Sequence, residues 1–209
     1  QMAELFKSDR ISYWMSGRIE SEYLYYFKQR RPSAAMVTLR FDFRNPKKVA
    51  RLPTNLIPSG QIDMAFVEFF SAANAACGGD FDRLMVPFRC VASDLVARKP
   101  YVLKTGDLGE AVRASMAIPL AFNPIEKDSM LLYDGGIYDN FPWKPLDETF
   151  RPDYLIGSKC TSGNTEPNAK SIMDQVWMLT MEKTDYDMPA GRSTLIERAV
   201  DVSMLDFSQ

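Results

Sequence analysis

Leu131-Leu132-Tyr133-Asp134-Gly135-Gly136-Ile137-Tyr138-Asp139-Asn140-Phe141-Pro142 is the stretch on which the fold turns. Its first three residues read as a short strand, and an acid stands where that strand ends. The two glycines that follow can take φ > 0 and admit a close backbone approach. Taken alone, Asp-Gly-Gly is also a common hairpin signal, so its meaning depends on what surrounds it.

Upstream, Val112-Arg113-Ala114-Ser115-Met116-Ala117-Ile118-Pro119 closes a helix that Asp107 opens, with Glu110 three residues on as a capping box. Its small residues let a helix approach a neighbouring backbone, and Pro119 fixes where the helix must end. By itself this segment reads as close helix packing. Before it, Phe88 to Ser93 reads as a buried strand and Tyr101-Val102-Leu103 as a second, after a turn at Lys99-Pro100. Ser59 reads as the N-cap of a helix reaching Cys77, with Ile62, Phe66, Phe69, Ala73 and Ala76 along one apolar stripe. Gly78-Gly79 stops it.

Further out, Val37, Leu39, Phe41 and Phe43 alternate with polar residues as a half-buried strand does. The aromatic run Tyr23 to Phe27 fits its hairpin partner, with the turn at residues 29–32. That turn is basic beside tyrosines, but nothing extends the patch, so it reads as a solvated loop and not as a nucleic-acid site. Lys144 to Thr149 reads as a short helix and Tyr154 to Gly157 as a strand. A helix with Ile172, Val176 and Leu179 on one face follows, then a strand at Thr194-Leu195-Ile196 that closes the visible sheet. Strands and helices interleave, so the class is α/β or α+β, with helices over a mixed sheet, in one domain spanning residues 1–209.

Composition excludes much of the usual chemistry. Lys and Arg number 25 against 27 Asp and Glu, so no global field favours DNA or an anionic membrane. The chain contains no His. A Ser-His-Asp triad, a Cys-His pair and a His-ligated metal are therefore impossible within it. Cys77, Cys90 and Cys160 lie too far apart for a CxxC pair and read as buried small hydrophobes. There is no G-x-S-x-G elbow, no phosphate loop and no G-x-G-x-x-G. No apolar run approaches the roughly 18 residues of a membrane span. The opening Gln1-Met2-Ala3 predicts that the natural N-terminus lies further upstream.

Taken together, Ala114-Ser115-Met116-Ala117-Ile118-Pro119, then Asp134-Gly135-Gly136 and Asn140-x-Pro142, resemble the patatin-like phospholipase family, above all its bacterial branch. Pro87 to Asp94 resembles that family's strand ahead of the capped helix. The resemblance implies a three-layer α/β/α fold, N-terminally incomplete, with a mixed central sheet flanked by helices. It implies hydrolysis of carboxylic esters in phospholipids or related acyl lipids by a Ser-Asp dyad, which needs no His. By the family pattern Asp134 is the dyad acid, Gly135 and Gly136 form its turn, and Ser115 and Asn140 are motif residues near the site; Asp139, five residues beyond Asp134, is expected to be solvated. The serine sits on an elbow that the resemblance places ahead of Gln1, as is the glycine-rich oxyanion loop. No metal or organic cofactor is implied. The expected partners are a lipid ester and, transiently, a membrane surface; a bare sheet edge adds possible homodimerisation. The family branch favours an envelope or secreted protein, while unpaired cysteines suit a reducing cytosol equally well. The competing expectation is a catalytically inactive lipid-binding or interaction module that keeps the fold without the nucleophile.

Overall fold

The computed structural model describes residues 8, 10–16, 57–160 and 181–197. The strand at Val37 to Phe43, its aromatic partner, and the helix of Ile172, Val176 and Leu179 lie outside the described residues.

The order of elements is α1 (Arg10–Ser16), α2 (Gly60–Cys77), β1 (Cys90–Asp94), β2 (Lys99–Leu103), α3 (Leu108–Ser115), β3 (Ile125–Lys127), β4 (Met130–Asp134), α4 (Trp143–Phe150), β5 (Leu155–Lys159) and β6 (Ser193–Glu197). Short 3-10 turns stand at Phe81–Arg83 and Gly135–Ile137. Helices alternate with strands, as an α/β fold requires. Both strand orientations are present, but they segregate. Strands β2-β1-β4-β3 form an antiparallel sheet in that order, whereas β5 and β6 pair in parallel. The reason is connection length: β1–β2 and β3–β4 are joined by tight turns, which only antiparallel neighbours allow.

Cross-strand pairs Cys90–Leu103, Ala92–Asp134 and Asp94–Leu132 put these residues on one sheet face. That face carries the core. Ala92, Leu103 and Leu132 meet Leu108, Ala111 and Ala114 of α3 together with Cys77 at the end of α2 and Phe81 of the 3-10 turn that follows. Burying a side chain such as Leu132 stabilises the fold by about 1.5–3 kcal/mol. Asp107 caps α3 as its sequence predicts, its carboxylate accepting the Glu110 N–H at 2.8 Å. The Glu110 side chain pairs instead with Lys127, Nζ–Oε1 2.6 Å, and so ties α3 to β3.

Several local readings shift. The apolar track of α2 runs through Ile62, Ala65, Phe66, Phe70, Ala73 and Cys77. Phe69 leans outward onto Trp14 of α1 in an edge-on contact at 5.7 Å, and Ala76 is exposed. Steps of three and four residues from Ile62 allow both tracks, and the partners of the helix decide between them. Ser59 flanks α2 but has helical backbone angles and makes no side-chain cap. An N-cap needs the extended conformation to turn its hydroxyl inward. Gly78 ends the helix at φ +62°, donating to the Asn74 carbonyl. Helix α3 ends at Ser115, ahead of Pro119. Lys99 and Pro100 belong to β2 itself; the β1–β2 turn is at residues 95–98. Because β2 is an edge strand, Pro100 is tolerated there. Thr194 to Ile196 belongs to the parallel pair and not to the larger sheet. Of the cysteines, Cys77 is buried and Cys90 half-buried, but Cys160 is exposed and is not a core residue.

Candidate functional site

Asp134 is the last residue of β4, opposite Ala92 on β1. Its N–H donates to the Ala117 carbonyl at 3.0 Å, just beyond α3, so the helix exit and the strand end hold each other. The chain then turns back through Gly135–Ile137. The Gly136 N–H donates to Asp134 Oδ1 at 2.8 Å, which orients the carboxylate along the turn. The Gly135 carbonyl accepts from the Asp139 N–H at 2.8 Å and from the buried Ser93 hydroxyl at 3.3 Å.

The two glycines are there for space. Neither has a positive φ, contrary to one reading of the motif. A Cβ on Gly135 would stand 2.3 Å from the Val91 carbonyl oxygen, so the turn lies directly against β1. A Cβ on Gly136 would stand 2.8 Å from Asn140 Oδ1 and 3.0 Å from Asp134 Oδ1. Thus the Asn140 amide and the Asp134 carboxylate flank one glycine.

Ser115 closes α3 and donates its hydroxyl to the Val91 carbonyl at 2.6 Å. Ser115 and Gly135 therefore meet at the same backbone group. With its proton committed there, Ser115 anchors the helix to β1 and is not posed as a nucleophile.

Burial raises the Asp134 carboxyl above the ordinary carboxylate range, and the Gly136 N–H offsets part of that rise. A raised value makes the carboxylate a better proton acceptor. Asp139, expected to be solvated, is half-buried, with its carboxyl also raised by burial. The Phe141 N–H and Lys144 counter that rise, while Asp185 adds to it. The cause is the turn itself, which draws Asp139 back toward Gly135 and leaves its Oδ1 accepting from Phe141 N–H. Cys90 is unsuited to nucleophilic work, since burial pushes its thiol up to about 12.

Asp134 lines neither of two surface depressions. One, of about 580 Å³, lies between Asp147, Arg151 and Arg192; the other, of about 410 Å³, lies along residues 126–131 and Val96. Among the described residues, no cluster of His, Cys, Asp and Glu could hold a metal ion, and no helix is long and apolar enough to cross a membrane.

Sequence reasoning missed Arg113. It is 3% exposed, with Nε 3.0 Å from Asp63 on α2 and its guanidinium over the Phe122 ring. It therefore clamps α3 and the Ala117 exit to α2. An arginine between Val112 and Ala114 in a small-residue helix end was the available signal.

A family model described as patatin-like phospholipase matches residues 37–147, which includes every residue of this site. Uncharacterized NTE family proteins of Mycobacterium tuberculosis and Mycobacterium bovis are 34% identical over 119 residues, covering 54% of this chain and 33% of theirs. A Cryptococcus neoformans protein named Lysophospholipase NTE1 is 30% identical over 82 residues, 39% of this chain and 5% of its own. The chain thus spans about a third of the length of the mycobacterial relatives.

Proposed function

The chain belongs to the patatin-like phospholipase family, and from that premise we propose that it supplies the acid of a Ser-Asp dyad in a lipid acyl hydrolase. One observation supports the reading above the rest. Asp134 is a half-buried carboxylate at a strand end, raised in pKa, aimed by one backbone N–H and held in place by a turn that tolerates no side chain at Gly135.

The chemistry follows from that placement. A serine hydroxyl becomes nucleophilic when a base removes its proton during attack on the ester carbonyl. Asp134 takes that proton as the Ser Oγ–carbon bond forms and the carbonyl π pair moves to oxygen. Collapse of the tetrahedral adduct breaks the ester C–O bond, and Asp134 returns the proton to the departing alcohol. Water then repeats the sequence on the acyl-enzyme: Asp134 takes its proton and gives it to the serine as the fatty acid leaves. General-base catalysis of this kind contributes about 10²–10⁴-fold. The Gly136 N–H is occupied by Asp134, so the oxyanion is assigned to a glycine-rich loop outside these residues, as is the serine on its elbow.

The test uses a protein extended upstream to include an elbow serine. Asp134→Asn should lower kcat/KM on a lipid ester at least 100-fold, whereas Asn at the exposed Asp153 should leave it near wild type. The 209-residue chain alone should hydrolyse p-nitrophenyl esters at the background rate, because it holds no G-x-S-x-G. An extended protein that binds lipid but shows no Asp134-dependent hydrolysis would favour the inactive lipid-binding module instead.

A further inference from the structure

We propose that the loop of residues 84–88, with Met85 and Val86 at its tip, is where the protein seats on a zwitterionic phospholipid bilayer. This deepens the lipid-ester reading and rests on it for the identity of the partner. Met85 is 98% exposed and Val86 68%. The loop is held from both sides. Leu84 and Phe88 pack against the core, Phe88 N–H donates to the Phe81 carbonyl at 3.2 Å, and the Phe81 and Phe88 rings lie 6.2 Å apart. Two apolar side chains are thereby displayed on a fixed base, where the chain could have turned them inward.

Their position is what points to a lipid surface. The loop feeds into Cys90, the first residue of β1, while β4 runs antiparallel and ends at Asp134 opposite Ala92. The loop and the Asp134–Gly136 turn therefore share one end of the sheet. Leu120, 44% exposed in a left-handed conformation at φ +67°, lies three residues past Ala117, whose carbonyl holds the Asp134 N–H. The end of the sheet that carries the acid is thus the end that shows Met85, Val86 and Leu120. Charge settles the kind of bilayer. Arg89 is paired with Asp82 at 2.8 Å, and Asp80 and Asp82 balance Arg83 and Arg89 in this segment, so the base of the loop has no cationic excess to draw it to anionic lipid. Attachment by two apolar side chains without a basic patch is weak and reversible.

The experiment is flotation of the 209-residue chain with phosphatidylcholine vesicles. The chain should float, and Met85→Ser with Val86→Ser should lower the partition coefficient by about tenfold or more. Val96 is the matched control: it is also 68% exposed but stands in the β1–β2 turn at the opposite end of the sheet, and Val96→Ser should float as wild type does. Met85→Trp should strengthen partitioning while leaving the urea unfolding midpoint unchanged, which separates it from a folding defect that exposes the core. Raising salt from 50 mM to 500 mM should change little. A chain that stays with the soluble fraction, or that loses binding as much with Val96→Ser, overturns the proposal. So does binding that vanishes in high salt. Failure here is separable from failure of the hydrolase reading: an extended protein that cleaves soluble esters without floating loses only the docking loop, and one that floats without cleaving loses only the dyad.

Discussion

Replacing Gly135 by Ala adds one methyl group, and the structure specifies where it goes. Its carbon would lie 2.3 Å from the Val91 carbonyl oxygen, against about 3.3–3.6 Å for the closest favourable carbon–oxygen contacts. The obstacle is backbone in the middle of the sheet, so about 1 Å of movement must come from separating the turn and β1. Overpacking of this kind costs about 1–3 kcal/mol. Shifting the turn also strains the buried hydrogen bond from Ser93 to the Gly135 carbonyl, worth about 1 kcal/mol. Since φ at Gly135 is not positive, alanine would otherwise stabilise by about 0.4–1 kcal/mol through the unfolded chain. The net expectation is a loss of about 2–3 kcal/mol. With a urea m-value of about 2 kcal/mol/M, the midpoint falls by about 1–1.5 M at unchanged m. Two further glycines calibrate the measurement. Gly60 has nothing within 4 Å of its virtual Cβ and opens α2, so Gly60→Ala should be neutral or slightly stabilising. Gly191 has the same open space but φ +83°, so Gly191→Ala should cost about 1–2 kcal/mol from backbone strain alone. Urea unfolding followed by tryptophan emission reads all three. If Gly135→Ala unfolds with the wild-type midpoint, the turn does not lie against Val91 and the β1–β4 register described here is wrong.

Other expectations are briefer. Because the folded Asp134 carboxyl is raised, the folded state binds its proton more tightly than the unfolded chain, and this group costs stability once pH climbs through the raised value. Asp134→Asn should then be at least as stable as wild type at pH 7, with the advantage shrinking as pH drops toward the ordinary carboxylate range; a clear loss of stability at neutral pH would contradict the burial. In the extended, active protein, the rate should fall on acidification through that same raised value, and a pH profile flat down to pH 4 would remove Asp134 as the base. Asp63→Ala leaves the buried Arg113 guanidinium without its partner and should cost about 2–3 kcal/mol, below the full buried-pair figure because Asp63 is half-exposed. In the native chain a thiol reagent should modify Cys160 first, with Cys77 and Cys90 reacting only on unfolding; rapid labelling of Cys90 would mean its strand is open.

What was legible in the sequence was whatever short-range chemistry decides. The Asp107 cap, the Gly78 stop and the strand ending at Asp134 each depend on residues within a few positions, and each stands where the sequence put it. The outward turn of Phe69 was not legible, because the neighbouring Trp14 arrives from α1 and no local pattern announces it. Asp139 was misread for a related reason: its burial comes from the path of the turn, which periodicity does not encode. At the candidate site, the family resemblance pointed to Asp134, Gly135, Gly136, Ser115 and Asn140. The reason for Gly135 lies instead in the carbonyl of Val91, more than forty positions away along the chain. Arg113 escaped notice because an arginine is expected on a helix surface, and only packing of α2 and the Asn123 loop against it reveals a buried clamp.

Pro100 in the outer strand β2 bears on the behaviour of concentrated solutions. Having no N–H, it cannot complete a ladder with an incoming strand, and Lys99 beside it adds charge that a strand from another molecule would have to bury. At the far side of the same sheet, β3 is only three residues long and carries Glu126 and Lys127. Growth by strand addition is therefore blocked at both margins of the antiparallel sheet. The parallel pair carries its charges, Lys159 and Glu197, only at the strand ends, while Ile156 and Ile196 are 72% and 54% exposed on its strands. Aggregation on heating or concentration should accordingly begin there, so that a lysine at Ile156 suppresses light scattering while a lysine at Val102 or Glu126 does not.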